Sequence, residues 1–366
     1  MLKRICLAAA CLLVVAGPAW SLDLSAGLKA GSVDLQSAGA LAFGPEGILF
    51  VGDTKAAAIV AIATGDTSGN PEAVKLNLEG LDQKIAAALG TSTRDISVND
   101  LAVNPLSGNV YLSVSRGRGP SAAAVLLRLT GSGDLSEVNL KTAESASAAL
   151  PNAPEPGATG RRNRSLRAQS ITDLAYSDGR VLVAGLSNEE FASTLRSIPF
   201  PFQSVDAGTA VEIYHGAHGG FETKSPVRTF ATYNIGNQPH LLAAYTCTPL
   251  VKFSLNDLKP GKKVRGTTIA ELGNRNNPLD MFVYEKGGQD FVLLANSNRG
   301  VMKITTSGAE RSEGITEQIG GTAGQTYDTI DELKGVVQLD RLNAENAVVL
   351  LRREDGSVDL KTVALP

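Results

Sequence analysis

Short apolar runs separated by glycine-containing turns recur along most of the chain. Residues 41–43 are followed by the turn 44–47 and then by the apolar runs 48–51 and 58–63. A tight turn with glycine between two apolar runs is the sequence signal of a β-hairpin. The same arrangement starts again at residues 101, 174 and 281. Only 81–89, which ends before Gly90, has the pattern of a helix, so the chain is predicted to be an all-β protein.

The predicted hairpins also resemble one another. Residues 99–103, 172–176 and 279–283 each contain an Asp that opens a short apolar strand, and 240–253 aligns with 291–304. Successive units begin roughly 50 to 73 residues apart, and recurrence on that scale is typical of propeller blades. We therefore predict a six-bladed β-propeller of four-stranded blades. A two-sheet sandwich is the alternative, and it would not account for the recurrence.

The way in which the ring closes is a separate prediction. The last unit contains three strand-like runs, 336–342, 347–352 and 358–363. The segment 28–35 alternates apolar and polar residues and precedes the first blade. We expect this N-terminal strand to pair into the last blade as its outer strand, because pairing hides two exposed sheet edges at once.

The N-terminus has the pattern of a cleavable signal peptide. Two basic residues precede the apolar run 5–16, and Ala19-Trp20-Ser21 follows a Gly-Pro break. The run is too short to span a bilayer core of about 30 Å. A buried first helix and a lipoprotein signal at Cys11 are the alternatives. We expect residues 1–21 to be removed, 22–366 to form one propeller domain with no membrane span, and the protein to be periplasmic or secreted.

Composition and charge exclude several classes of protein. Hydrophobic residues make up 43% of the chain and charged residues 19%, which does not fit a disordered protein or a coiled coil. The net charge of −3 gives no field that would recruit nucleic acid, so no nucleic-acid partner is expected. Residues 141–170 interrupt the strand pattern and are predicted to be a mobile surface insertion. An acidic polymer could contact its arginines, which are Arg161, Arg162, Arg164 and Arg167.

Propeller geometry identifies a first candidate site. The starts of the inner strands share one face of a propeller, so Asp100, Asp173 and Asp280 should lie near the mouth of the central channel. Asn99 and Asn277 should lie beside them. Carboxylate and amide oxygens are the ligands that a hard cation such as Ca²⁺ prefers. The alternative is that each Asp caps a turn by accepting hydrogen bonds from the backbone.

A second candidate site combines nitrogen and sulfur ligands. The three histidines of the chain, His215, His218 and His240, lie in one stretch that leads to Cys247. Such ligands suit Zn²⁺ or a copper ion. Cys247 is the only cysteine that remains once the signal peptide is removed, so no intramolecular disulfide is expected. Three unrelated histidines and a buried thiol are the alternative.

Two stretches carry a resemblance to a known group of proteins. Residues 99–111 look like a blade of the six-bladed NHL and gluconolactonase/paraoxonase-like propellers, and 39–53 resembles their first blade. The resemblance implies a divalent cation, usually calcium, held in the channel by acidic and Asn/Asp side chains at the starts of inner strands. Asn99 matches such a ligand, whereas Ala40 stands where the first acidic ligand is expected.

Two function classes follow from these observations. The first is an exported, non-catalytic propeller that binds a small-molecule ligand or an exported protein partner on its channel face. The alternative is a metal-dependent lactonase or esterase in which a channel cation polarises the carbonyl. No Gly-x-Ser-x-Gly motif occurs in the chain, so an α/β-hydrolase site is not expected.

Overall fold

The computed structural model describes residues 27–247 and 249–366. The predicted signal peptide, residues 1–21, lies outside them. Within these two ranges, no helix is both long enough and apolar enough to cross a membrane.

β-Strands are the main regular structure of the described chain, as predicted. In chain order they are β1 (Lys29–Gly31), β2 (Leu41–Phe43), β3 (Ile48–Asp53), β4 (Ala58–Ala63), β5 (Asn77–Leu78), β6 (Ile96–Val103), β7 (Val110–Arg116), β8 (Ala123–Leu129), β9 (Leu135–Glu137), β10 (Ala143–Ala149), β11 (Asp173–Ser177), β12 (Arg180–Leu186), β13 (Ser193–Pro199), β14 (Thr209–His215), β15 (Gly220–Glu222), β16 (Thr229–Ile235), β17 (Gln238–Ala244), β18 (Pro249–Ser254), β19 (Lys263–Arg265), β20 (Thr267–Leu272), β21 (Pro278–Lys286), β22 (Gln289–Asn296), β23 (Gly300–Thr305), β24 (Thr322–Gly324), β25 (Tyr327–Ile330), β26 (Val336–Arg341), β27 (Asn346–Arg352) and β28 (Val358–Ala364). The α-helix α1 (Leu81–Ala88) follows β5.

These strands form six sheets, which are the blades of a β-propeller. We number the blades by the position of their inner strands along the chain. Counted outwards from the inner strand, the first four strands are β2-β3-β4-β10 in blade I, β6-β7-β8-β9 in blade II, β11-β12-β13-β14 in blade III, β16-β17-β18-β20 in blade IV, β21-β22-β23-β25 in blade V and β26-β27-β28-β5 in blade VI. Outside these four, β1 extends blade I, β15 and β19 extend blade III, and β24 extends blade IV. The inner strands contact one another in a closed ring. The predicted six-bladed propeller is therefore confirmed.

The order of the blades around the ring differs from their order along the chain. The inner strand of blade I contacts those of blades II and III, and the inner strand of blade VI contacts those of blades V and II. The ring therefore runs I, III, IV, V, VI and II. Along the chain, β2, β3 and β4 form the first three strands of blade I. Blade II follows as β6 to β9, and β10 then pairs with β4 as the fourth strand of blade I.

The predicted closure by the N-terminal strand was wrong. β1 pairs with β10 at the outer edge of blade I, with Lys29 opposite Ser145. The outer strand of blade VI is β5, in which Asn77 pairs with Lys361 and Leu78 with Leu360. The exposed edge of the last blade is thus covered, as expected, but by a segment that follows the first three strands of blade I.

The predicted insertion at 141–170 is a strand over part of its length. Residues 143–149 form β10, which pairs with β4. Further along, the guanidinium of Arg167 donates hydrogen bonds to the carbonyl oxygens of Thr54, Lys55 and Pro154. The absence of regular structure was therefore a wrong prediction for β10, and the mobility of the rest stays a prediction.

The hydrophobic core lies between neighbouring blades. Helix α1 packs its buried Leu81 and Ile85 into the core shared by blades II and VI. Gly90 follows this helix with a φ of 61°, the left-handed conformation expected of a glycine at a helix C-terminus. Leu360 of blade VI belongs to the same core and is fully buried. The β5–α1 segment therefore closes the ring by hydrogen bonding and by burial of apolar surface.

An engineered disulfide tests this closure. Directly opposed residues of antiparallel strands have Cα atoms about 4.5 to 5.5 Å apart, within the range that a disulfide spans. In a Cys247→Ser background, we expect the pair Asn77→Cys and Lys361→Cys to oxidise in the folded protein. The control pair Lys29→Cys and Lys361→Cys should keep both thiols free. A thiol count under native conditions that gives the opposite pattern would show that the N-terminal strand closes the ring.

Candidate functional site

The inner strands of all six blades surround a central cavity of about 620 Å³. Small side chains on four of these strands leave the space open, namely Ala42, Ala102, Ala175 and Ala231. The lining runs from the acidic residues of the inner strands to the turns that follow those strands, where Pro105 and Asn343 lie. The cavity therefore extends towards the face that carries the turns between first and second strands.

Besides the exposed Glu72, four carboxylates of the inner strands line this cavity. Three are the predicted Asp100, Asp173 and Asp280, and the fourth is Asp340 on β26. β-Bulges precede three channel positions, between Val98 and Asp100, between Pro278 and Asp280, and between Val336 and Gln338. A bulge adds one residue to a strand and redirects the side chain that follows it. Asp340 escaped prediction because it lies two residues after the position that aligns with the other three.

Each carboxylate joins its own blade to the next one. Asp100 Oδ1 accepts a hydrogen bond from the N–H of Leu101 at 2.8 Å, and its Oδ2 accepts one from the N–H of Leu41 in blade I at 2.7 Å. Asp173 accepts from Leu174 in its own blade and from Phe230 in blade IV, at 2.8 and 2.7 Å. The backbone bonding that was the alternative to cation binding is therefore present, and it crosses between blades.

The same bond pattern occurs in blades V and VI. Asp280 accepts from the N–H of Met281 and from that of Leu339 in blade VI, at 2.8 and 2.9 Å. Asp340 accepts from Arg341 and from Val103 in blade II, both at 2.7 Å. Four of the six junctions between inner strands carry such a bond, all in the same direction around the ring.

Gln338 links two of the acids. Its amide orientation follows from its neighbours, since one arrangement lets the nitrogen donate to Asp100 Oδ1 at 3.0 Å and to Asp280 Oδ2 at 2.8 Å. The neutral amide nitrogen of Gln338 thus lies between the carboxylates of Asp100 and Asp280. No basic side chain of the lining contacts these two carboxylates. The basic residue of the lining, Arg341, is exposed and donates from Nε to the carbonyl oxygen of Asn343.

Burial raises the pKa values of these four acids, and repulsion between carboxylates adds to it for Asp100, Asp173 and Asp280. Each is half-buried, and the surface that it exposes faces the channel. Burial raises the pKa of Asp173 to about 7 and that of Asp340 to about 6, against the hydrogen bonds that they accept. Burial, and then repulsion from the neighbouring carboxylates, raise the pKa values of Asp100 and Asp280 well above the usual range. The channel acids therefore hold their protons more tightly than a free aspartate does. A positive charge bound beside them would favour their ionised forms.

The predicted asparagines do not join the carboxylates. Asn99 Nδ2 donates to the carbonyl oxygen of Ala38 and to Ser115 Oγ, so its amide holds the start of β6 against the segment before β2. Asn277 is exposed, and its backbone N–H donates to Ser297 Oγ. Neither residue lines the cavity. Their assignment to the channel site was wrong.

The calcium site implied by the family resemblance does not fit this channel. In the described parts of the chain, no three channel carboxylates bring their oxygens within 4.8 Å of one another. Ca²⁺ requires six to eight oxygens at 2.3 to 2.6 Å. The acids are spread around the ring instead, each bonded to a different pair of backbone N–H groups.

The second predicted site is only partly assembled. His215 and His218 converge with Glu222, which sequence reasoning missed because the three follow no known motif spacing. His240 lies on β17, with Nδ1 2.8 Å from the carbonyl oxygen of Gln238, beside a second cavity of about 480 Å³. Cys247 is a half-buried free thiol whose backbone N–H donates to the carbonyl oxygen of Asn276. The structure therefore excludes His240 and Cys247 from the ligand set.

Comparisons with known proteins leave the family open. No family model matches the chain, and no curated protein matches it. Among solved structures, it is similar to an oxidoreductase described as a glucose dehydrogenase from Thermus thermophilus, with 12% identity, a TM-score of 0.36, and coverage of 92% of this chain and 100% of that one. It is also similar to the PQQ-bound aldose sugar dehydrogenase of Streptomyces coelicolor, with 13% identity, a TM-score of 0.37, and coverage of 92% and 97%.

A third similar structure is an engineered GH43 glycoside hydrolase, with 10% identity and a TM-score of 0.38. The match covers 74% of this chain but only 51% of the hydrolase. At these values the similarities do not identify an activity, and the propeller architecture rests on the strand pairing described above.

Protonation of the channel makes stability depend on pH. The pKa of Asp173 is raised to about 7, whereas an aspartate in an unfolded chain has a pKa of about 3.9. Its protonation therefore stabilises the fold fully below about pH 4, and this contribution is lost as the pH rises through 7. From pH 5 to pH 8 we expect the free energy of unfolding to fall by about 2 kcal/mol from this group.

Urea denaturation at the two pH values measures this difference. Asp173→Asn, which cannot ionise, should show a smaller decrease between pH 5 and pH 8. Exposed Asp257 provides the matched control, and Asp257→Asn should leave the decrease unchanged. Equal stability of the wild-type protein at pH 5 and pH 8 would contradict the raised pKa values.

Proposed function

We propose that this protein is an exported β-propeller that binds a small organic cation in its central channel. The proposal rests mainly on the four inner-strand carboxylates, which face one cavity whose basic residue, Arg341, is exposed and donates to the carbonyl oxygen of Asn343 instead. Export is supported by the signal-peptide pattern of residues 1–21. The channel supports a binding role, because its carboxylates provide charge and its cavity provides a defined shape. No catalytic group is assembled in the described lining.

Charge is the first argument for a cationic ligand. Four carboxylates in one cavity repel one another, and a bound cation relieves that repulsion while it favours their ionised forms. Arg228 lies close enough to Asp173 to interact with it electrostatically, but it does not line the cavity. A ligand can therefore supply the missing positive charge from the solvent side.

Shape and aromatic surface are the second argument. The volume of about 620 Å³ falls within the usual range for small-molecule pockets, about 300 to 1,000 Å³. Phe43, Tyr176 and Phe282 add ring surface to the lining. Aromatic rings attract ammonium groups, and more strongly in a site that excludes water. An organic cation can also contact acids that are too far apart to share one metal ion.

The hydrolase alternative receives less support. Membership of the NHL and gluconolactonase-like group would bring a channel calcium, which needs converging oxygen ligands. The channel oxygens do not converge in that way, and the amide of Asn99 is bonded elsewhere. An exported protein partner on the channel face would have to present a positively charged group, such as a lysine side chain, in order to bind these carboxylates.

A charged ligand and its neutral isostere test the proposal. Choline and 3,3-dimethylbutan-1-ol have the same shape and differ in charge. At pH 8 we expect choline to bind at least about tenfold more tightly than the alcohol, which corresponds to about 1.4 kcal/mol. Binding should weaken at pH 5, because the cation then competes with protons on the channel acids. Calorimetry on the mature protein measures both effects.

Variants and calcium provide the controls. Asp173→Asn should weaken choline binding, whereas Asp257→Asn should not. Equal binding of choline and the alcohol would overturn the cationic ligand. One equivalent of tightly bound Ca²⁺ that is lost in Asp280→Asn would favour the hydrolase instead.

A further inference from the structure

A hairpin at the outer edge of blade III brings three metal-ligating side chains together. His215 ends β14, His218 lies in the turn that follows, and Glu222 lies in β15. The turn is closed by the N–H groups of His218 and Gly219, which both donate to the carbonyl oxygen of His215. Gly219 has a φ of 67°, which glycine adopts readily. The turn therefore folds His218 back over His215, and the two imidazole centroids are 3.9 Å apart.

Both imidazoles face the same carboxylate. His218 Nδ1 lies 2.5 Å from Glu222 Oε1, and His215 Nδ1 lies 3.1 Å from Glu222 Oε2. The ligand atoms of the three residues all lie within 4.8 Å of one another. The hairpin therefore presents two imidazole nitrogens and one carboxylate to the same point.

Buried polar atoms beside the cluster have no partner. His215 is 2% exposed, and neither of its ring nitrogens makes a hydrogen bond of good geometry, although Nδ1 is close to Glu222. A buried imidazole without a partner is costly, since it has given up its hydrogen bonds to water. A nitrogen that lies against a carboxylate oxygen without bonding to it is the arrangement that a shared metal ion would complete.

A second carboxylate lies beneath the turn. Glu271 of β20 is 1% exposed; its Oε1 accepts a hydrogen bond from the N–H of Gly216 at 2.6 Å, and its Oε2 has no partner. A Cβ at position 216 would lie 2.9 Å from Glu271 Oε1, so glycine is what permits this approach. Glu271 therefore holds the turn from beneath, outside the group of three converging ligand atoms.

We propose that His215, His218 and Glu222 form a zinc site at the outer edge of blade III, separate from the channel. Two imidazole nitrogens and one carboxylate oxygen are a ligand set that Zn²⁺ takes at 2.0 to 2.2 Å, with a fourth position left for water. His218 is half exposed, which gives the ion a path from solvent. Glu271 lies behind the ligands and orients the turn through Gly216. Nitrogen ligands favour Zn²⁺ or copper over Ca²⁺ and Mg²⁺.

Metal binding to the mature full-length chain tests this site. After treatment with a chelator, the wild-type protein should bind one Zn²⁺ per chain in a calorimetric titration, in the presence of excess Ca²⁺. His218→Ala should bind at least about tenfold more weakly, and Glu222→Gln should be impaired as well. His240→Ala is the matched control because it removes a histidine outside the cluster, and it should bind as the wild type does.

Two further measurements distinguish this site from a metal site in the channel and from a folding defect. Co²⁺ bound by nitrogen and oxygen ligands in a four- or five-coordinate site gives visible absorption bands, which should be present in the wild type and in Asp173→Asn but lost in His218→Ala. Circular dichroism confirms that His218→Ala, a change at an exposed position, leaves the fold intact. No Zn²⁺ binding by the wild type, or equal binding by His218→Ala and His240→Ala, would overturn the proposal. Zinc lost in Asp173→Asn and retained in His218→Ala would place the ion in the channel instead.

Discussion

The blades of this propeller are joined at the axis by hydrogen bonds that aspartate side chains of the inner strands accept from backbone N–H groups of the next blade. The bonds of Asp100, Asp173, Asp280 and Asp340 join neighbouring inner strands where no backbone ladder connects them. One intramolecular hydrogen bond contributes about 0.5 to 1.5 kcal/mol net, and four such bonds act around the same ring. The two remaining junctions begin from Ala40 and Thr229, which offer no carboxylate.

The same four residues give the channel its chemistry. A carboxylate placed to bond the next blade must lie at the axis, so the mutual repulsion of the acids follows from their structural role. The raised pKa values of Asp173 and Asp340 show that desolvation outweighs the bonds which they accept. A protein that needed these acids only for stability could use neutral groups, as Gln338 does between Asp100 and Asp280. Their ability to ionise when a cation binds is what links the architecture of the ring to ligand binding.

The fold was largely predictable from the sequence, whereas the ring closure and one acid of each candidate site were not. Apolar hairpins and the recurring Asp before an apolar strand correctly identified the blades and three of the channel acids. The two-residue strand Asn77–Leu78 has no periodicity of its own, and Ala143–Ala149 alternates small and polar residues that also suit a loop. Asp340 was missed because it lies two residues beyond the aligned position, which Gln338 occupies, and Glu222 meets the two histidines only through the geometry of a hairpin.

Titration of the aspartate side chains by NMR tests whether the carboxyls that join the blades have raised pKa values. In protein labelled with ¹³C at the aspartate carboxyl, we expect the carboxyl of Asp173 to titrate near pH 7 and that of Asp340 near pH 6. The backbone N–H signals of Phe230 and Val103 should shift with the same midpoints, because those groups donate to the two carboxylates across a blade junction. Titration of both acids near pH 4, with no matching shift at Phe230 or Val103, would contradict the account.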